Sequence, residues 1–514
     1  MRGHGVNRRH FIRTALHCSF YACAMRCTPS SIRRPNILLA ISDDQSWSDA
    51  GIWQKNCLKT PAFDRIAKEG VLFTHAYCPA SQCSPSRAAL LTGRNIWQLE
   101  EAGTHASLFP NKFRVYTDIL EKAGYHVGYT GKPWAPGNWR DGGWPRNPAG
   151  KEYNDCQLQP PTACISKCDY TENFNAFLAD RPKDQPFCFW FGCHEPHRNY
   201  ENESALRAGY SLADITVPPF YPDDDKIRSD LLDYALEVEW FDRHLGNIIE
   251  ILEKRGELDQ TLIVVTSDNG APFPRVKANL YEMGVRVPLA IRWGQVSSGR
   301  VVEDFVSFID LAPTFLDAAA LQPHQQMTGK SLFDILRSDK SGRIEPNRDH
   351  VLMGKERHNH ARYDNLGYPS RAIRTRNHLY IRNFKPERWP LGDPPYYLCH
   401  TKMSNPTKDF ILSHRDESGY RKYYSLSYAK RPLEELYDIE KDPYCVSNVA
   451  NDDAYLGIKR ELWKKLKAHL LDQKDPRVLG HGDIFESYPY YQRMQPEIGG
   501  FKEYGKYNPK YSRD

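Results

Sequence analysis

Four short apolar runs in the sequence end in polar residues that could do chemistry. These are Asp43 and Asp44 after run 36–41, Lys132 after run 126–130, His194 after run 187–192, and Asp268 with Asn269 after run 261–266. The carboxylate and amide groups offer only oxygen atoms, which suit a hard divalent cation better than zinc. We expect Ca²⁺, with Mg²⁺ as the alternative, because Ca²⁺ tolerates irregular coordination by ligands from separate loops.

The apolar runs themselves predict the elements that must position these residues. Each run is short, rich in β-branched or aromatic residues and free of polar alternation, which is typical of strands covered on both faces. Helical patterns lie between them, for example at 60–70 and 230–256. This alternation predicts an α/β sandwich around a mostly parallel sheet. Ligands bind beyond the carboxyl ends of such strands, so we expect the polar residues to converge on one crevice.

A cysteine begins another helical pattern. In "SQCSPSRAALLTGR", residues 81–94, Pro85 suits a first helical turn and Gly93 a helix end. Cys83 then lies at a helix N-terminus with Arg87 one turn away, and both features would lower its thiol pKa. A phosphatase with a cysteine nucleophile needs an arginine six residues after the cysteine, where this chain has Ala89. The spacing therefore argues against that class.

The same stretch resembles the signature of the formylglycine-dependent sulfatase family, Cys-x-Pro-x-Arg followed by Leu-Thr-Gly-Arg. "LLAISDDQ" and "VVTSDNGAPFP" resemble the two metal-binding strands of that family, and the similarity covers roughly residues 34–470. The resemblance implies an alkaline-phosphatase-like sandwich and a smaller C-terminal α+β domain with an antiparallel sheet. It also implies that a formylglycine-generating enzyme converts Cys83 to formylglycine (3-oxoalanine), whose hydrate is the nucleophile.

Carried over to the matching positions, the resemblance implies a role for each candidate residue. It implies metal ligation by Asp43, Asp44, Asp268, Asn269 and the modified Cys83. It implies that Arg87 holds the formylglycine hydrate, that Lys132 and Lys277 contact the sulfate group, and that His194 lies beside the leaving group.

One position departs from the family pattern. The family usually reads Gly-Lys-x-His after the second strand, whereas "GKPWAPG" places Trp134 at the histidine position. In the family this histidine hydrogen-bonds a hydroxyl of the formylglycine hydrate and helps its later elimination. We expect that a water or His197 takes this role, or that turnover is slower. Every metal and sulfate position is present, so we expect an active enzyme.

The expected substrate is a sulfate ester or sulfamate of a sulfated carbohydrate, with N-sulfoglucosamine of heparan-type chains as the specific expectation. One alternative is a phosphate or phosphonate ester hydrolase of the same architecture. Another is a carbohydrate-binding protein that lost catalysis with the missing histidine. Residues 352–384 alternate apolar and basic positions like strands of a small antiparallel sheet. Within them, Glu356, Arg357, His358, His360 and Arg371 are candidates for sugar or carboxylate contacts, and the alternative is that they belong to an ordinary charged loop.

The chain length of 514 residues allows one large domain and a smaller one. We expect an export signal or disordered segment at 1–33, a catalytic domain at 34–345, a C-terminal subdomain at 346–475 and a surface-wrapping tail at 476–514. The aromatic segments 394–400 and 488–496 would either wall the cleft or pack on the surface.

Charge and cysteine usage limit the other possibilities. The net charge is +5 and no basic block stands out beyond the N-terminus, so nucleic-acid binding has no support. No stretch is apolar enough to span a bilayer. Arg8 and Arg9 before a modest apolar run resemble a twin-arginine signal for export to the periplasm or beyond, with Cys23 as a candidate lipid anchor. The thirteen scattered cysteines predict no disulfide framework, and Cys156, Cys164 and Cys168 form one bridge or remain free thiols.

Overall fold

The computed structural model describes residues 34–53, 57–397 and 405–512. The strands in chain order are β1 Asn36–Ser42, β2 Val71–Phe73, β3 Ala76–Tyr77, β4 His126–Gly131, β5 Lys151–Glu152, β6 Phe187–Gly192, β7 Thr261–Ser267, β8 Leu289–Arg292, β9 Arg300–Val302, β10 Val306–Ser307, β11 His350–Lys355, β12 Ser370–Thr375, β13 His378–Asn383 and β14 Glu434–Asp438. The α-helices are α1 Pro61–Glu69, α2 Cys83–Thr92, α3 Tyr116–Lys122, α4 Tyr170–Asp180, α5 Ser204–Arg207, α6 Asp225–Lys254, α7 Glu282–Val285, α8 Leu311–Ala318, α9 Phe333–Arg337, α10 Pro406–Ser413, α11 Arg421–Ser427 and α12 Leu456–Asp472.

The four expected strands are neighbours in one large sheet. Its order is β5-β4-β6-β1-β7-β8-β2-β9, and β4, β6, β1 and β7 are parallel to one another. Ile41 near the end of β1 pairs with Gly192 of β6 and with Thr266 of β7, while Gly131 of β4 also pairs with Gly192. The four carboxyl ends therefore meet at one edge, as predicted.

Each face of this sheet belongs to a different hydrophobic core, which explains the lack of polar alternation. In β1, Leu39 and Ile41 point into one core, and Leu38 and Ala40 point into the other. Helices α2, α3 and α8 cover the first face, and α1, α4 and α6 cover the second. None of the helices in the described ranges is long and apolar enough to cross a bilayer.

A second sheet lies in the C-terminal part of the chain. Its order is β11-β12-β13-β14, and every pairing is antiparallel. Leu466 and Leu470 of α12 pack in the same core as Leu379 and Ile381 of β13. The fold prediction is thus confirmed, including the smaller antiparallel sheet.

The expected boundaries at 345 and 475 stay predictions, because the residues from Pro35 onward form one compact unit. The proposed export signal, with Arg8, Arg9 and Cys23, lies outside the described residues. All described cysteines carry free thiols, including Cys156, Cys164 and Cys168, in agreement with the second of the two expected states.

Candidate active site

Three aspartates and one cysteine form a buried cluster at the carboxyl edge of the large sheet. Potential ligand atoms of Asp43, Asp44, Cys83 and Asp268 all lie within 4.8 Å of one another, and each residue is at most 1% exposed. Asp43 and Asp44 follow β1 and Asp268 follows β7, so the parallel pairing of these strands brings the carboxylates together. The Asp44 amide donates to Asp268 Oδ1 at 3.0 Å, which fixes the spacing between the two loops.

The cluster has the donor set of a hard divalent cation. Carboxylates this close repel one another, and burial together with Asp43 raises the pKa of Asp268 to about 7. Asn269 donates through Nδ2 to Asp44 Oδ1 at 2.8 Å, while its buried Oδ1 has no hydrogen-bond partner within the described ranges. A cation among these oxygens would remove the repulsion and satisfy the Asn269 oxygen.

Three basic side chains surround the carboxylates. Lys132 Nζ pairs with Asp43 Oδ2, and Lys277 Nζ pairs with Asp44 Oδ2. Arg87 Nε donates to Asp268 Oδ2 at 2.8 Å, and its Nη1 donates to the Lys132 carbonyl at 2.6 Å. Burial opposes the charge of Lys277, but Asp44 outweighs it and raises the lysine pKa. The basic groups therefore stay charged beside Cys83.

Cys83 begins α2 with its Sγ 3.4 Å from Asp43 Oδ1. Burial and the Asp43 carboxylate raise its pKa well above the usual value for a thiol. The prediction of a lowered thiol pKa is therefore wrong, because the carboxylates and burial outweigh the helix N-terminus and Arg87. A protonated, enclosed thiol is a poor nucleophile, so unmodified Cys83 is not equipped for attack.

Two histidines that follow β6 face this cluster. His194 lines the cleft, where desolvation by the surrounding protein atoms lowers the pKa of its ring and nearby Lys132 adds to the effect. His197 Nε2 lies 3.8 Å from Asp44 Oδ2 and also groups with Asp43 and Cys83. Burial and Lys277 lower the pKa of His197 to about 4, so its ring is neutral near pH 7.

Trp134 does not face the reactive groups. Its side chain is 1% exposed, its ring packs against Phe109 at 5.1 Å between centroids, and Nε1 donates to the Ser84 carbonyl at 3.1 Å. Trp134 therefore stabilises the first turn of α2 through its hydrogen bond to the Ser84 carbonyl. The imidazole of His197 lies close enough to group with Asp43 and Cys83.

The cluster lies in a cleft of about 840 Å³, a volume typical of a small-molecule site. Cys83, Lys132, Lys277 and His194 line its inner part. The loop at 358–360 and the C-terminal segment 490–497 contribute to its walls. Of the two expected positions for the aromatic stretch 488–496, the cleft wall is found for Tyr490 and for residues 492–496.

Only two of the five expected sugar-contacting residues line the cleft, namely His358 and His360. Arg371 is fully buried and donates to Asp475 Oδ2 at 2.7 Å and to Glu356 Oε1 at 2.8 Å. Arg357 is also buried, and it donates to backbone carbonyls of the tail. The prediction that Glu356, Arg357 and Arg371 contact a sugar is thus corrected, because their charged groups are buried and bonded to other groups of the protein.

Two protein-family profiles match this chain. The profile of the sulfatase family matches residues 35–321, more than half of the chain. The chain belongs to the sulfatase family. A second profile, described as N-sulphoglucosamine sulphohydrolase, C-terminal, matches residues 276–393 of this sulfatase.

Curated relatives cover most of this sulfatase. Human N-sulphoglucosamine sulphohydrolase is 28% identical over 500 residues, covering 88% of this chain and 93% of the human protein. An ulvan-active sulfatase of Formosa agariphila is 26% identical and covers 88% of this chain and 77% of its own. With the family match, these relatives identify the protein as a sulfuric ester hydrolase or sulfamidase.

Solved structures share the fold. A structure in complex with its substrate D-glucosamine-2-N,6-O-disulfate has a TM-score of 0.61 at 20% identity and covers 86% of this chain and 98% of that chain. A phosphonate monoester hydrolase of Agrobacterium radiobacter has a TM-score of 0.59 at 18% identity and covers 87% and 97%. Sulfatases generally use formylglycine and a divalent cation, and the buried cluster described above suits both.

Proposed function

We propose that this sulfatase hydrolyses sulfate esters or sulfamates of sulfated carbohydrates, with N-sulfoglucosamine as the specific substrate. One observation carries the proposal: Cys83 shares a buried, oxygen-rich cluster with Asp43, Asp44 and Asp268, and two lysines pair with those carboxylates. The C-terminal profile match and the human relative support the choice of N-sulfoglucosamine.

Asp43, Asp44, Asp268 and Asn269 would hold the cation, for which Ca²⁺ is our choice and Mg²⁺ the alternative. When present, the cation would withdraw charge from the sulfuryl oxygens, and formylglycine at position 83 would supply the attacking hydroxyl. Arg87 holds Asp268 in place and keeps positive charge beside residue 83.

Lys132 and Lys277 bind the sulfate group. Both ammonium groups line the cleft, and both residues are less than a tenth exposed, so their charge acts in a poorly solvated environment. When the bond to the leaving atom breaks, the electron pair moves onto that atom, while the sulfuryl oxygens carry the negative charge that repels a nucleophile. Fixed cations at those oxygens neutralise this charge and orient the sulfuryl group for attack.

His194 and His197 each carry out one proton transfer. His194 donates a proton to the departing oxygen or nitrogen, since it lies exposed in the cleft beside the basic groups. Desolvation and the nearby Lys132 lower the pKa of His194 in the free enzyme, and the anionic substrate favours its protonated form. His197 is neutral and lies near Cys83, so it accepts a proton from the group at position 83 in place of the missing family histidine.

The location and partners of the protein belong to the same proposal. Export through the twin-arginine signal would bring the enzyme to sulfated polymers outside the cytoplasm, and an extracellular sulfatase homologue of Drosophila melanogaster is among its relatives. A formylglycine-generating enzyme is the required partner during maturation. Cys23 as a lipid anchor is the alternative to free release.

The test combines the modification with the reaction. We expect mass spectrometry of the Cys83 peptide, from protein made with a formylglycine-generating enzyme, to find an aldehyde in place of the thiol. The same protein should release sulfate from N-sulfoglucosamine faster than it releases phosphate or phosphonate from matched aryl esters. An unmodified thiol in fully active protein would contradict the mechanism.

A second candidate function is phosphate or phosphonate ester hydrolysis, which the shared fold with the Agrobacterium radiobacter enzyme favours. Faster turnover of the phosphonate ester would support it. Sugar binding without turnover of any ester would instead identify a catalytically impaired carbohydrate-binding homologue.

A further inference from the structure

The C-terminal segment 488–497 is held against the loop 357–360 by a set of directed hydrogen bonds. Arg357 donates to the Tyr488 carbonyl at 2.6 Å and to the Pro489 carbonyl at 2.7 Å. Further along, the Gln495 amide donates to His360 Nδ1 at 2.9 Å, and Gln495 Nε2 donates to the His360 carbonyl at 3.0 Å. The segment and the loop thus form one continuous wall of the cleft.

These bonds determine which ring nitrogen of His360 carries a proton. Nδ1 accepts a backbone hydrogen bond, so in the neutral ring the proton is on Nε2. Burial lowers the pKa of His360 to about 4, with Arg357 adding to the effect, and the ring is therefore neutral near pH 7. His360 is 1% exposed, and its Nε2 has no hydrogen-bond partner in the described part of the chain. A buried N–H group without a partner is costly, which makes it a strong candidate to bind a ligand.

Gln495 provides the complementary atom. Its Nε2 is occupied by the His360 carbonyl, while its buried Oε1 has no partner among the residues that the structure describes. His360 and Gln495 both line the cleft leading to Cys83, and the wall therefore holds one fixed donor and one fixed acceptor that lack partners within the described residues. A sugar hydroxyl both donates and accepts hydrogen bonds, so it has the chemistry that these two atoms lack.

We infer that His360 Nε2 and Gln495 Oε1 form a subsite for a hydroxyl group of the sugar that carries the sulfate. This inference rests on the proposed sulfatase function and identifies how the same cleft selects its substrate. Aryl sulfates lack such a hydroxyl, so they gain nothing from the subsite. The C-terminal segment is therefore a specificity element, and His360 is held in its donor form by the backbone of that segment.

Two variants of His360 distinguish the role of the Nε2 donor from that of Nδ1, whose hydrogen bond from the Gln495 backbone holds the ring in place. His360→Asn keeps an acceptor near the Nδ1 position and removes the Nε2 donor, whereas His360→Gln keeps a donor near Nε2 and removes the acceptor. The measured quantity is the ratio of kcat/KM for N-sulfoglucosamine to kcat/KM for 4-nitrophenyl sulfate. We expect this ratio to fall about tenfold in His360→Asn, mainly through KM, and clearly less in His360→Gln.

Deoxy analogues of N-sulfoglucosamine locate the hydroxyl. Removal of the recognised hydroxyl should cost the wild-type enzyme about tenfold and cost His360→Asn little, because the two changes delete the same hydrogen bond. Equal losses in both enzymes for every analogue, or an unchanged substrate ratio in His360→Asn, would overturn the inference.

A binding measurement makes the result independent of turnover. Calorimetry with glucosamine and the Cys83→Ala protein should show weaker binding when His360→Asn is added. If the wild-type enzyme releases sulfate from no substrate but this difference persists, the sulfatase proposal fails and the subsite stands. If sulfate is released but glucosamine binding is the same with and without His360→Asn, the subsite fails alone.

Discussion

The inner floor of the cleft and its outer wall are built in different ways. The floor comes from the carboxyl ends of parallel strands and the start of α2, and its charged groups pair with one another in the buried cluster. The wall comes from the loop at 358–360 and the C-terminal segment, and within the described residues its buried His360 Nε2 and Gln495 Oε1 have no hydrogen-bond partner. On the proposed function, the floor performs the reaction and the wall selects the molecule that undergoes it.

The largest effect should come from the floor at Cys83. We expect Cys83→Ala to lower kcat at least about a thousandfold on both sugar and aryl sulfates, since it removes the precursor of the nucleophile. Cys164→Ala is the matched control, because this exposed thiol lines the same cleft and should be silent. Steady-state sulfate release measures both. If Cys83→Ala keeps its activity, the floor of the cleft does not carry the reaction.

The next effect concerns the cation. Added Ca²⁺ should stabilise the folded protein, by about 2.7 kcal/mol when the ion is at a hundred times its Kd. Asp268→Asn should abolish this shift in thermal unfolding and reduce activity at least about a hundredfold, because it removes one carboxylate of the cluster.

Asp49→Asn provides the control for the cation. Asp49 is also buried, but it accepts a hydrogen bond from Tyr234 and lies outside the cluster. Metal content by elemental analysis should fall in Asp268→Asn and not in Asp49→Asn. Equal metal content in both variants would show that the cluster holds no cation.

An effect confined to substrates with a basic leaving group should follow from His194→Gln. If His194 protonates the leaving group, its loss should cost roughly a hundredfold or more on a sugar sulfate or sulfamate, whose leaving group is strongly basic. The cost on 4-nitrophenyl sulfate should be far smaller, because nitrophenolate leaves without a proton. Kinetics on the two substrates in parallel provide the measurement. Equal losses on both would assign His194 to sulfate binding instead.

The floor could be predicted from the sequence because each of its residues lies next to a recognisable strand or helix start. Asp43 follows an apolar run that could only be a buried strand, and parallel pairing then brings its carboxylate to Asp268. The prediction of a lowered pKa for Cys83 is wrong for the opposite reason: the helix that begins at Cys83 is local, but the burial and the carboxylates that raise the pKa come from distant segments.

The wall could not be predicted in this way, since its contacts join segments far apart in the chain. From the local sequence alone, Arg371 would be expected to be an exposed basic residue of a strand. In the fold it is buried and donates to Asp475, 104 residues later. The Gln495 amide likewise fixes the ring of His360 from 135 residues away. No local pattern carries this information, although the aromatic stretch 488–496 indicated that the tail could pack against something.

The smallest effect should arise where the wall is anchored. Arg357→Met keeps the bulk of the side chain but removes its hydrogen bonds to the Tyr488 and Pro489 carbonyls. We expect a loss of about 1–3 kcal/mol in the free energy of unfolding and faster hydrogen exchange in residues 488–497, because the buried carbonyls lose their donor. KM for N-sulfoglucosamine should rise a few-fold, while kcat on 4-nitrophenyl sulfate should change less, since no group of the floor is touched. Arg421→Met, an exposed substitution in α11, should alter none of these quantities. An equal fall of kcat on both substrates in Arg357→Met would mean that wall and floor are mechanically coupled, and the division of labour between them would have to be abandoned.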